Sequence, residues 1–319
     1  MNDTDRAQRY YYTFACREEE EALSRMEQRA LFGETATPDG GLLSCRPFPP
    51  GRSPFIRERL DVRYEADTLE QLAARIEGLP TEGRTFKISC IKNRAAPDYA
   101  QQRLIERRLG AVIRGKADMR QPELLFGVVQ AQAGGSWLFG VLQQHESVWL
   151  RHQAKPRSYS TALSTRTARA VVNIALPYSG QELAGKRLYD PCCGMGTVLI
   201  EALSMGIPAA GSDLNPLAVM GARANLAHFG YQETIRVQDI AEVEGSYDAV
   251  VVDLPYNLCS VSPLEEQQRI LEQARRLSRR AVLVTTEEIE ELVLAAGFTV
   301  QDSCQIPKGK LVRKVLLCR

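Results

Sequence analysis

The chain has 319 residues, of which 44% are hydrophobic and 25% are charged. This is typical of a globular protein with two domains, and no run approaches the roughly 18 consecutive apolar residues of a membrane-spanning helix. The first residues are polar and mixed in charge, so no signal peptide is expected. The eight cysteines include no CxxC pair and the chain has three histidines, which disfavours a structural zinc site or a disulfide framework and favours a reducing, cytoplasmic location.

The net charge of +1 conceals an uneven distribution along the chain. Residues 84–170 carry a net charge of +10, whereas residues 1–83 carry −5 and residues 171–319 carry −4. A basic middle segment between acidic ends indicates a surface that holds a polyanion such as a nucleic acid. The alternative is a solvated face without a partner.

The first half of the chain predicts an α+β region over residues 1–150. Two segments on either side of AGGS, residues 124–132 and 137–143, predict a β-hairpin with a glycine turn. The other predicted elements are a strand over 10–14, a helix over 18–31 that stops at Gly33, a loop or irregular strand over 34–54, a helix over 69–76, a strand over 85–91 and a basic helix over 98–109 that ends at Gly110.

Residues 151–160 show no periodicity and predict a linker, after which residues 161–319 form the C-terminal domain. A helix over 161–175 opens this domain, and strands and helices then alternate with short connections, which predicts an α/β fold with a doubly wound parallel sheet. The strands are predicted over 187–190, 209–213, 235–240, 247–254 and 281–285, and the helices over 197–204, 216–228, 264–277 and 288–295. The last two strands, over 299–306 and 313–318, predict a C-terminal antiparallel hairpin.

Acidic residues end three successive strands of this predicted sheet. Asp190 precedes Gly194 and Gly196, Asp213 ends the next strand, and Asp239 ends the third. Ligands of open parallel sheets bind beyond the carboxyl ends of the strands, and glycines there let a ligand approach the backbone. Carboxylates can accept hydrogen bonds from ribose hydroxyls or an adenine amino group, so the pattern predicts a nucleoside site. The alternative is that these acids merely cap strand ends.

Asp190 indicates which kind of nucleoside binds. A pyrophosphate facing Asp190 would be repelled, and the dinucleotide fingerprint GxGxxG is absent. An acid before a GxG loop suits a ligand with an ammonium or sulfonium charge, and S-adenosyl-L-methionine carries both. The adjacent Cys192 and Cys193 are interpreted as small residues of a tight loop, since neighbouring cysteines are poorly placed for a redox pair or for metal binding.

The fourth strand ends in Asp253, Leu254, Pro255 and Tyr256. An exocyclic amine that attacks a sulfonium methyl needs hydrogen-bond acceptors, a platform for its base and alignment with the methyl carbon. Asp253 and the Leu254 carbonyl would supply the acceptors, Pro255 would fix the turn, and Tyr256 would offer a ring face to a base taken out of its stack. The sequence therefore predicts methyl transfer to an exocyclic amine without a metal, with an ordinary strand-to-loop exit as the alternative.

The segments DPCCGMGT, GSDLNP and DLPYN resemble class I S-adenosylmethionine-dependent methyltransferases of the exocyclic amino type, whose fourth motif is (D/N)PPY. KPRSYSTAL–TARAVVNIA, DPCCGMGTVLIEAL and SDLNPLAVMGARANL together resemble the THUMP-containing tRNA guanine-N2 methyltransferases of the guanine-10 type, over residues 155–256. Upstream, YYYTFACREEEEAL and GKADMRQPELLFGVV look like the start of a ferredoxin-like part and the end of a THUMP module. The resemblance implies a Rossmann-like methyltransferase domain preceded by a THUMP/ferredoxin-like region that binds tRNA.

The resemblance also implies roles for individual residues. Asp190 and the loop after it would line the methionine part of the cofactor, Asp213 would hold the ribose, Asp239 the adenine, and Ser164 or Thr165 would lie near the methionine carboxylate. The implied cofactor-binding residues are Ser164, Thr165, Asp190, Cys192, Cys193, Gly194, Met195, Gly196, Thr197, Asp213, Leu214, Asn215, Asp239, Ile240 and Asp253. Leu254 replaces the first proline of the family motif, which predicts a less rigid loop.

The leading hypothesis is an enzyme that methylates the exocyclic N2 of guanine in tRNA, with position 10 as the expected target. The backbone phosphates would be bound by Arg103, Arg107, Arg108, Arg114, Lys116, Lys155 and Arg157. One alternative is an adenine-N6 methyltransferase of RNA or DNA, since the same motif serves any exocyclic amine. Another is a non-catalytic RNA-binding protein in which the leucine marks a site that no longer transfers methyl.

Overall fold

The structure, a computed structural model, describes residues 7–94, 96–144, 146–159, 161–178, 180–232, 234–255, 264–308 and 311–319. Its contacts divide the chain into two compact units. The first unit comprises Met1–Ala15, Glu34–Gly51 and Phe55–Glu146, and the second comprises Cys16–Gly33, Arg52–Pro54 and Ser147–Arg319. Helix α1 (Glu21–Phe32) therefore groups with the C-terminal unit, although the sequence placed all of residues 1–150 in one N-terminal region.

The first unit is built around one mixed sheet. Its described elements are β1 (Arg9–Phe14), β2 (Gly41–Ser44), β3 (Ile56–Ala66), α2 (Leu69–Arg75), β4 (Pro80–Cys90), α3 (Tyr99–Val112), β5 (Arg114–Ala117), β6 (Leu124–Gln130) and β7 (Trp137–Gln144). The strand order is β2-β1-β3-β7-β6-β4-β5. Strand β4 runs parallel to β5 and β6, and the other neighbours are antiparallel.

Several expectations for the first unit are confirmed and two strands were missed. The predicted hairpin is present, since β6 and β7 pair antiparallel from Phe126 opposite Val141 to Gln130 opposite Trp137. The helix expected to end at Gly110 continues to Val112. Strands β3 and β5 were not predicted, because β3 is rich in charged residues and β5 has four exposed residues without an alternating pattern.

The second unit contains α1 and a doubly wound sheet. Its further described elements are α4 (Thr165–Ala175), β8 (Leu188–Asp190), α5 (Thr197–Ser204), β9 (Ala209–Asp213), α6 (Pro216–His228), β10 (Ile235–Val237), β11 (Ala249–Asp253), α7 (Leu264–Leu277), β12 (Ala281–Thr285), α8 (Glu290–Ala295), β13 (Val300–Lys308) and β14 (Leu311–Cys318). The strand order is β10-β9-β8-β11-β12-β14-β13. The first five of these strands are parallel, and β14 is antiparallel to both of its neighbours. The predicted α/β sheet with its C-terminal antiparallel hairpin is confirmed.

The described part of the segment predicted as a linker, residues 151–159, packs as part of the second unit. A 3₁₀ helix covers Val148–Ala154. Beyond it, the Arg157 N–H donates to Asn225 Oδ1 at 2.9 Å, and Asn225 Nδ2 donates back to the Arg157 carbonyl at 2.9 Å. Helix α4 then begins at Thr165, four residues later than expected. Among the described residues, no helix has the length and apolar character that crossing a membrane requires.

A buried polar network explains why α1 groups with the second unit. Asn173 of α4 donates to Glu27 of α1 at 2.6 Å, and the Ser53 hydroxyl hydrogen-bonds to the same carboxyl group at 2.5 Å. The Arg52 guanidinium donates to Asn173 Oδ1 at 2.5 Å. Glu27 and Asn173 are fully buried, and burial raises the pKa of Glu27 to about 7. Buried polar groups need such partners, so α1 is fixed to α4 by directional bonds as well as by apolar contact.

Candidate active site

Three carboxyl groups meet at one edge of the second sheet. Asp190, Asp213 and Asp253 are the last residues of β8, β9 and β11, and β8 pairs in parallel with both other strands. Asp190 is 2% exposed. Burial raises its pKa well above the ordinary value, and the charges of Asp253 and Asp213 raise it further. Negative charge here is therefore unfavourable until a positively charged group comes close.

The loop between β8 and α5 is tied to these carboxylates by its backbone. The Cys192 N–H donates to Asp190 Oδ1 at 3.2 Å, and the Gly194 N–H donates to Asp213 Oδ2 at 2.9 Å. Gly194 and Gly196 have φ angles of +51° and +75°. Glycine adopts this left-handed conformation without the strain that a side chain adds. The loop therefore passes close to both acids, and a side chain at Gly194 would meet open space, whereas Gly196 packs against Ala222.

A cavity of about 150 Å³ opens beside this loop. It is lined by Tyr159, Thr161, Ala162, Leu163, Asp190, Cys192, Cys193, Gly194, Met195, Thr197, Val198, Asp253, Leu254 and Pro255. The structure thus brings the end of β8, the glycine loop and the end of β11 together with the segment before α4. In that segment the resemblance named only Ser164 and Thr165, because nothing in the sequence pattern shows which side chains face the cavity.

Ser164 and Thr165 are not among the cavity-lining residues. Ser164 is the N-cap of α4, where its Oγ accepts from the Thr167 N–H at 3.0 Å and hydrogen-bonds with Thr167 Oγ1 at 2.8 Å. Thr165 is buried in the first turn of the helix. The residues of this segment that line the cavity are Tyr159, Thr161, Ala162 and Leu163.

Asp239 follows the end of β10, whose Val237 lies opposite Asp213, and its carboxylate is paired with an arginine. Strand β10 ends at Val237, and both Asp239 oxygens accept from Arg269 Nη1, at 2.8 and 3.0 Å. The hydrogen bonds from Arg269 lower the pKa of Asp239. An adenine amino group would have to share these oxygens with Arg269. Of the neighbouring predicted residues, Ile240 is buried in the core.

The residues at the start of α6 are close to the site but differ in exposure. Leu214 is 58% exposed, whereas Asn215 is the N-cap of α6 and accepts from the Leu217 N–H at 2.9 Å. Asn215 also donates its own N–H to Asp213 Oδ1 at 2.8 Å. The Asp213 carboxylate therefore holds both the glycine loop, through Gly194, and the start of α6, through Asn215.

The replacement of proline by Leu254 predicts a less rigid loop, but the end of β11 is firmly held. The Leu254 side chain is 2% exposed, and its N–H donates to the Val284 carbonyl of β12 at 2.9 Å. Pro255 lines the cavity. Tyr256, the predicted platform for the base, lies outside the described residues.

The two adjacent cysteines are protonated thiols at neutral pH. Burial raises the pKa of Cys192 and of Cys193 well above the ordinary value, and the neighbouring carboxylates raise both further. A neutral thiol is neither a good nucleophile nor a metal ligand. Within the described ranges, no group of three or more His, Cys, Asp or Glu side chains is placed to hold a metal ion.

The basic residues predicted to bind RNA lie in both units. In the first unit, Arg103 pairs with Glu106 at 3.0 Å and Arg108 pairs with Glu70 at 2.6 Å. Arg107, Arg114 and Lys116 are exposed there. In the second unit, Lys155 Nζ donates to Thr197 Oγ1 at 3.1 Å, at the start of α5, and Arg157 is exposed.

The order of the second sheet, with one antiparallel strand inserted next to its last parallel strand, defines a class I Rossmann-like methyltransferase fold. Residues 152–295 match the family model described as "UPF0020: RMKL-like, methyltransferase domain". This segment, which is less than half of the chain, carries the three clustered carboxylates and is similar to that family.

Curated relatives share part of the chain. A protein of Methanothermobacter thermautotrophicus named tRNA (guanine(10)-N2)-dimethyltransferase is 28% identical over 214 residues, which cover 64% of this chain and 61% of that protein. Mouse U6 snRNA (guanine-N(2))-methyltransferase THUMPD2 is 24% identical over 65% of this chain and 40% of its own length. The chain thus matches less than two thirds of the length of either relative. Among solved structures, TrmN from Thermus thermophilus is 19% identical over 98% of this chain and 99% of that chain, with a TM-score of 0.47.

Proposed function

We propose that the protein is an S-adenosyl-L-methionine-dependent methyltransferase that modifies the exocyclic N2 of guanine in tRNA, with guanine-10 as the target. The observation that carries this proposal is the cluster of Asp190, Asp213 and Asp253 at the ends of three adjacent parallel strands, of which Asp190 and Asp253 line a cavity beside a glycine loop. The names of the relatives support the choice of guanine N2.

The residues at the crevice fit this cofactor. Burial and neighbouring carboxylates make a charged Asp190 unfavourable, and a ligand with ammonium and sulfonium groups would offset that repulsion. The open space beside Gly194 would allow the methionine part to approach, and Asp213 would retain acceptor capacity for ribose hydroxyls. Asp239 would accept from the adenine amino group. When bound, the cofactor supplies an electrophilic methyl group on its sulfonium.

The residues at the end of β11 would orient the guanine. The Asp253 carboxylate and the Leu254 carbonyl would accept hydrogen bonds from the guanine N–H groups, which directs the amine lone pair at the methyl carbon. Because Leu254 is anchored to Val284, its carbonyl is held in place before the base arrives. Pro255 and Tyr256 would support the ring of a base that has left its stack. Cys192 and Cys193 would fill the loop as neutral residues.

The first unit would bind the RNA. We place a THUMP/ferredoxin-like RNA-binding region over residues 1–150, apart from the segments that pack with the second unit, and the methyltransferase domain over residues 161–319. Arg107, Arg114 and Lys116 are exposed basic residues of this region and would contact backbone phosphates. A tRNA partner and a cytoplasmic location follow from this function. The two RNA classes named among the relatives, tRNA and U6 snRNA, make the identity of the RNA the first point to test.

The test is incubation with labelled S-adenosyl-L-methionine and unmodified tRNA, followed by mass analysis of the nucleosides. We expect label in N2-methylguanosine, and in N2,N2-dimethylguanosine if the product is methylated again. Asp253→Asn should abolish the label, whereas the matched variant Asp302→Asn, a carboxylate paired with Arg29, should not. Label in N6-methyladenosine would support the adenine alternative. Cofactor binding without methyl transfer to tRNA, U6 snRNA or ribosomal RNA would support the non-catalytic alternative.

A further inference from the structure

A second concave surface of the C-terminal unit lies at the edge of the sheet where the parallel strands begin. Arg187, Asp248 and Arg280 directly precede β8, β11 and β12, so this edge is opposite to the one that carries Asp190 and Asp253. A cavity of about 520 Å³ there is lined by Tyr178, Ser246, Tyr247, Asp248, Arg275, Arg276, Leu277, Ser278, Arg279, Arg280 and Arg319. We call this surface the arginine groove.

The arginine groove concentrates positive charge on an otherwise acidic part of the chain. Residues 171–319 carry a net charge of −4 and contain 14 Lys and Arg residues. Half of these line the arginine groove or contact its lining residues: Lys186, Arg187, Arg275, Arg276, Arg279, Arg280 and Arg319. Among the described residues that line it, Asp248 is the one with a carboxylate side chain, and it already pairs with Lys186 at 3.0 Å. The positive charge of the groove is therefore largely unmatched.

The groove arginines bond mainly to carbonyl oxygens. Arg280 donates to the carbonyls of Ala175 and Ile174 at 2.7 and 2.8 Å, and Arg275 donates to the Gly297 carbonyl at 3.0 Å. Carbonyls satisfy N–H groups but do not cancel a full charge. Burial, together with the charge of Arg319, lowers the pKa of Arg280. An anion in the groove would relieve this repulsion.

The dipole of α7 explains only some of the arginines in the arginine groove. Basic residues near the end of α7 complement the negative end of the helix dipole, which accounts for Arg275 and Arg276. Arg279 lies beyond the helix and is exposed, and within the described ranges it has no hydrogen-bond or ion-pair partner. Its guanidinium is available to a ligand from outside the chain.

Aromatic rings lie between the cations. Lys186 Nζ is 5.2 Å from the centre of the Tyr178 ring, and the Arg187 guanidinium carbon is 5.3 Å from the centre of the Tyr247 ring. Arginines bind phosphate oxygens with two parallel N–H groups, and arginine and tyrosine side chains also stack on bases. A concave surface of this kind fits a phosphate–sugar backbone better than it fits a flat membrane.

We propose that the arginine groove binds backbone phosphates of the RNA substrate, at a contact separate from the crevice that holds the target base. The proposal rests on the proposed function, because it takes RNA as the partner. It adds a second binding surface within the C-terminal unit itself, on the edge of the sheet away from the reacting groups. The RNA would then be held from two sides of the same unit.

The test compares RNA affinity at several salt concentrations for the wild type, Arg279→Gln and Arg275→Gln/Arg279→Gln. The slope of log affinity against log salt concentration is negative, and each lost phosphate contact makes it shallower by about 0.7 to 0.9. The slope of the double variant should therefore be shallower by about 1.4 to 1.8. Arg25→Gln, an exposed arginine of α1 paired with Glu21, is the matched control and should leave the slope unchanged. Affinity for S-adenosyl-L-methionine should be the same in all four proteins, which shows that the variants are folded. Arg279→Gln removes no internal hydrogen bond of the described structure, so it gives a result even if the double variant fails to fold.

The outcomes separate this proposal from the proposed function. If the wild type binds and methylates RNA while both groove variants keep its salt dependence, the arginine groove is not an RNA contact and the proposed function stands. If the wild type binds no RNA, both proposals fail. Poly-glutamate is a probe for an acidic protein partner. If it binds the wild type more tightly than RNA does, and the groove variants lose this binding, the arginine groove binds an acidic protein and the RNA proposal is overturned. Inorganic phosphate tests for a small-anion site. If phosphate in the millimolar range competes with RNA for the wild type, and the variants keep the salt dependence of RNA binding, the arginine groove is a small-anion site only and the RNA proposal is also overturned.

Discussion

The amide N–H of Leu254 donates to the carbonyl oxygen of Val284 at 2.9 Å. This bond extends the pairing of β11 with β12 beyond Asp253, which lies opposite Val284 in the register. A proline at position 254 could not donate it, because proline has no amide hydrogen. The leucine therefore fixes the end of β11 by a strand hydrogen bond and by a buried side chain, and its carbonyl remains an acceptor.

Leu254→Pro, which restores the family motif, should destabilise the protein. The substitution removes the N–H that satisfies the Val284 carbonyl and deletes part of a buried side chain. We expect the free energy of unfolding to fall by about 2–4 kcal/mol, measured by urea denaturation. Pro255→Ala, which removes no N–H donor, is the control and should cost less. Equal stability of Leu254→Pro and the wild type would show that the hydrogen bond contributes nothing.

Asp190→Asn should weaken cofactor binding without destabilising the free protein. The raised pKa means that the folded state holds the proton more tightly than the unfolded state, so ionisation of Asp190 lowers stability as pH rises above the ordinary value of 3.8. The asparagine variant cannot ionise and does not lose this stability. Its melting temperature should therefore equal that of the wild type near pH 3.8 and exceed it by a growing margin towards neutral pH. Calorimetry should show S-adenosyl-L-methionine affinity at least tenfold lower. A variant that binds normally would remove Asp190 from the site.

Glu27→Gln should flatten the pH dependence of stability. The pKa of Glu27 is raised from 4.5 to about 7, so the wild type loses stability as pH rises through this interval, by at most about 3 kcal/mol. Glutamine can keep the bonds to Asn173 and Ser53 without carrying a charge. Urea denaturation at pH 4.5, 6 and 8 should show the variant gaining on the wild type as pH increases. A constant difference between the two proteins across these pH values would contradict the prediction.

Arg169→Met should be strongly destabilising. Arg169 donates to Glu201 at 2.7 Å, and His152 contacts the same carboxylate at 2.6 Å, with all three side chains buried. Removing the arginine leaves a buried carboxylate without its main countercharge, which costs about 3–5 kcal/mol. Arg25→Met, which breaks an exposed pair with Glu21 on a helix, should cost below about 0.5 kcal/mol in the same urea titration. A similar loss of unfolding free energy in both variants would show that burial does not make the Arg169–Glu201 pair more important than an exposed pair.

Charge reversal in the first unit should weaken RNA binding more at basic residues without an ion pair than at basic residues that already pair with a carboxylate. Arg107 and Lys116 are exposed, and no ion pair joins them to another described residue. Arg103 is already paired with Glu106. Arg107→Glu and Lys116→Glu should each weaken tRNA affinity about tenfold at low salt, and Arg103→Glu should weaken it less. Unchanged tRNA affinity in Arg107→Glu/Lys116→Glu, with normal cofactor binding, would exclude this surface from RNA recognition.

Features that depend on the local pattern of residues are predictable from the amino-acid sequence. Alternating strands and helices predicted the second sheet because each element buries one face and is bounded by turn residues. Parallel strands end at the same edge, so Asp190, Asp213 and Asp253 could be placed together without coordinates. The same rule places Asp239 at that edge, just after β10, but it does not show that the Asp239 oxygens accept from Arg269 of α7.

Contacts between segments that are distant in the sequence become visible in the folded chain. Helix α1 joins the C-terminal unit through Glu27 and Asn173, which are 146 residues apart. The arginine groove combines residues near 186 with residues 275–280, inside a segment whose total charge is negative. Total charge and periodicity are properties of position along the chain. Burial, hydrogen bonding and unmatched charge depend on which side chains come together in space, and a one-dimensional pattern does not contain that information.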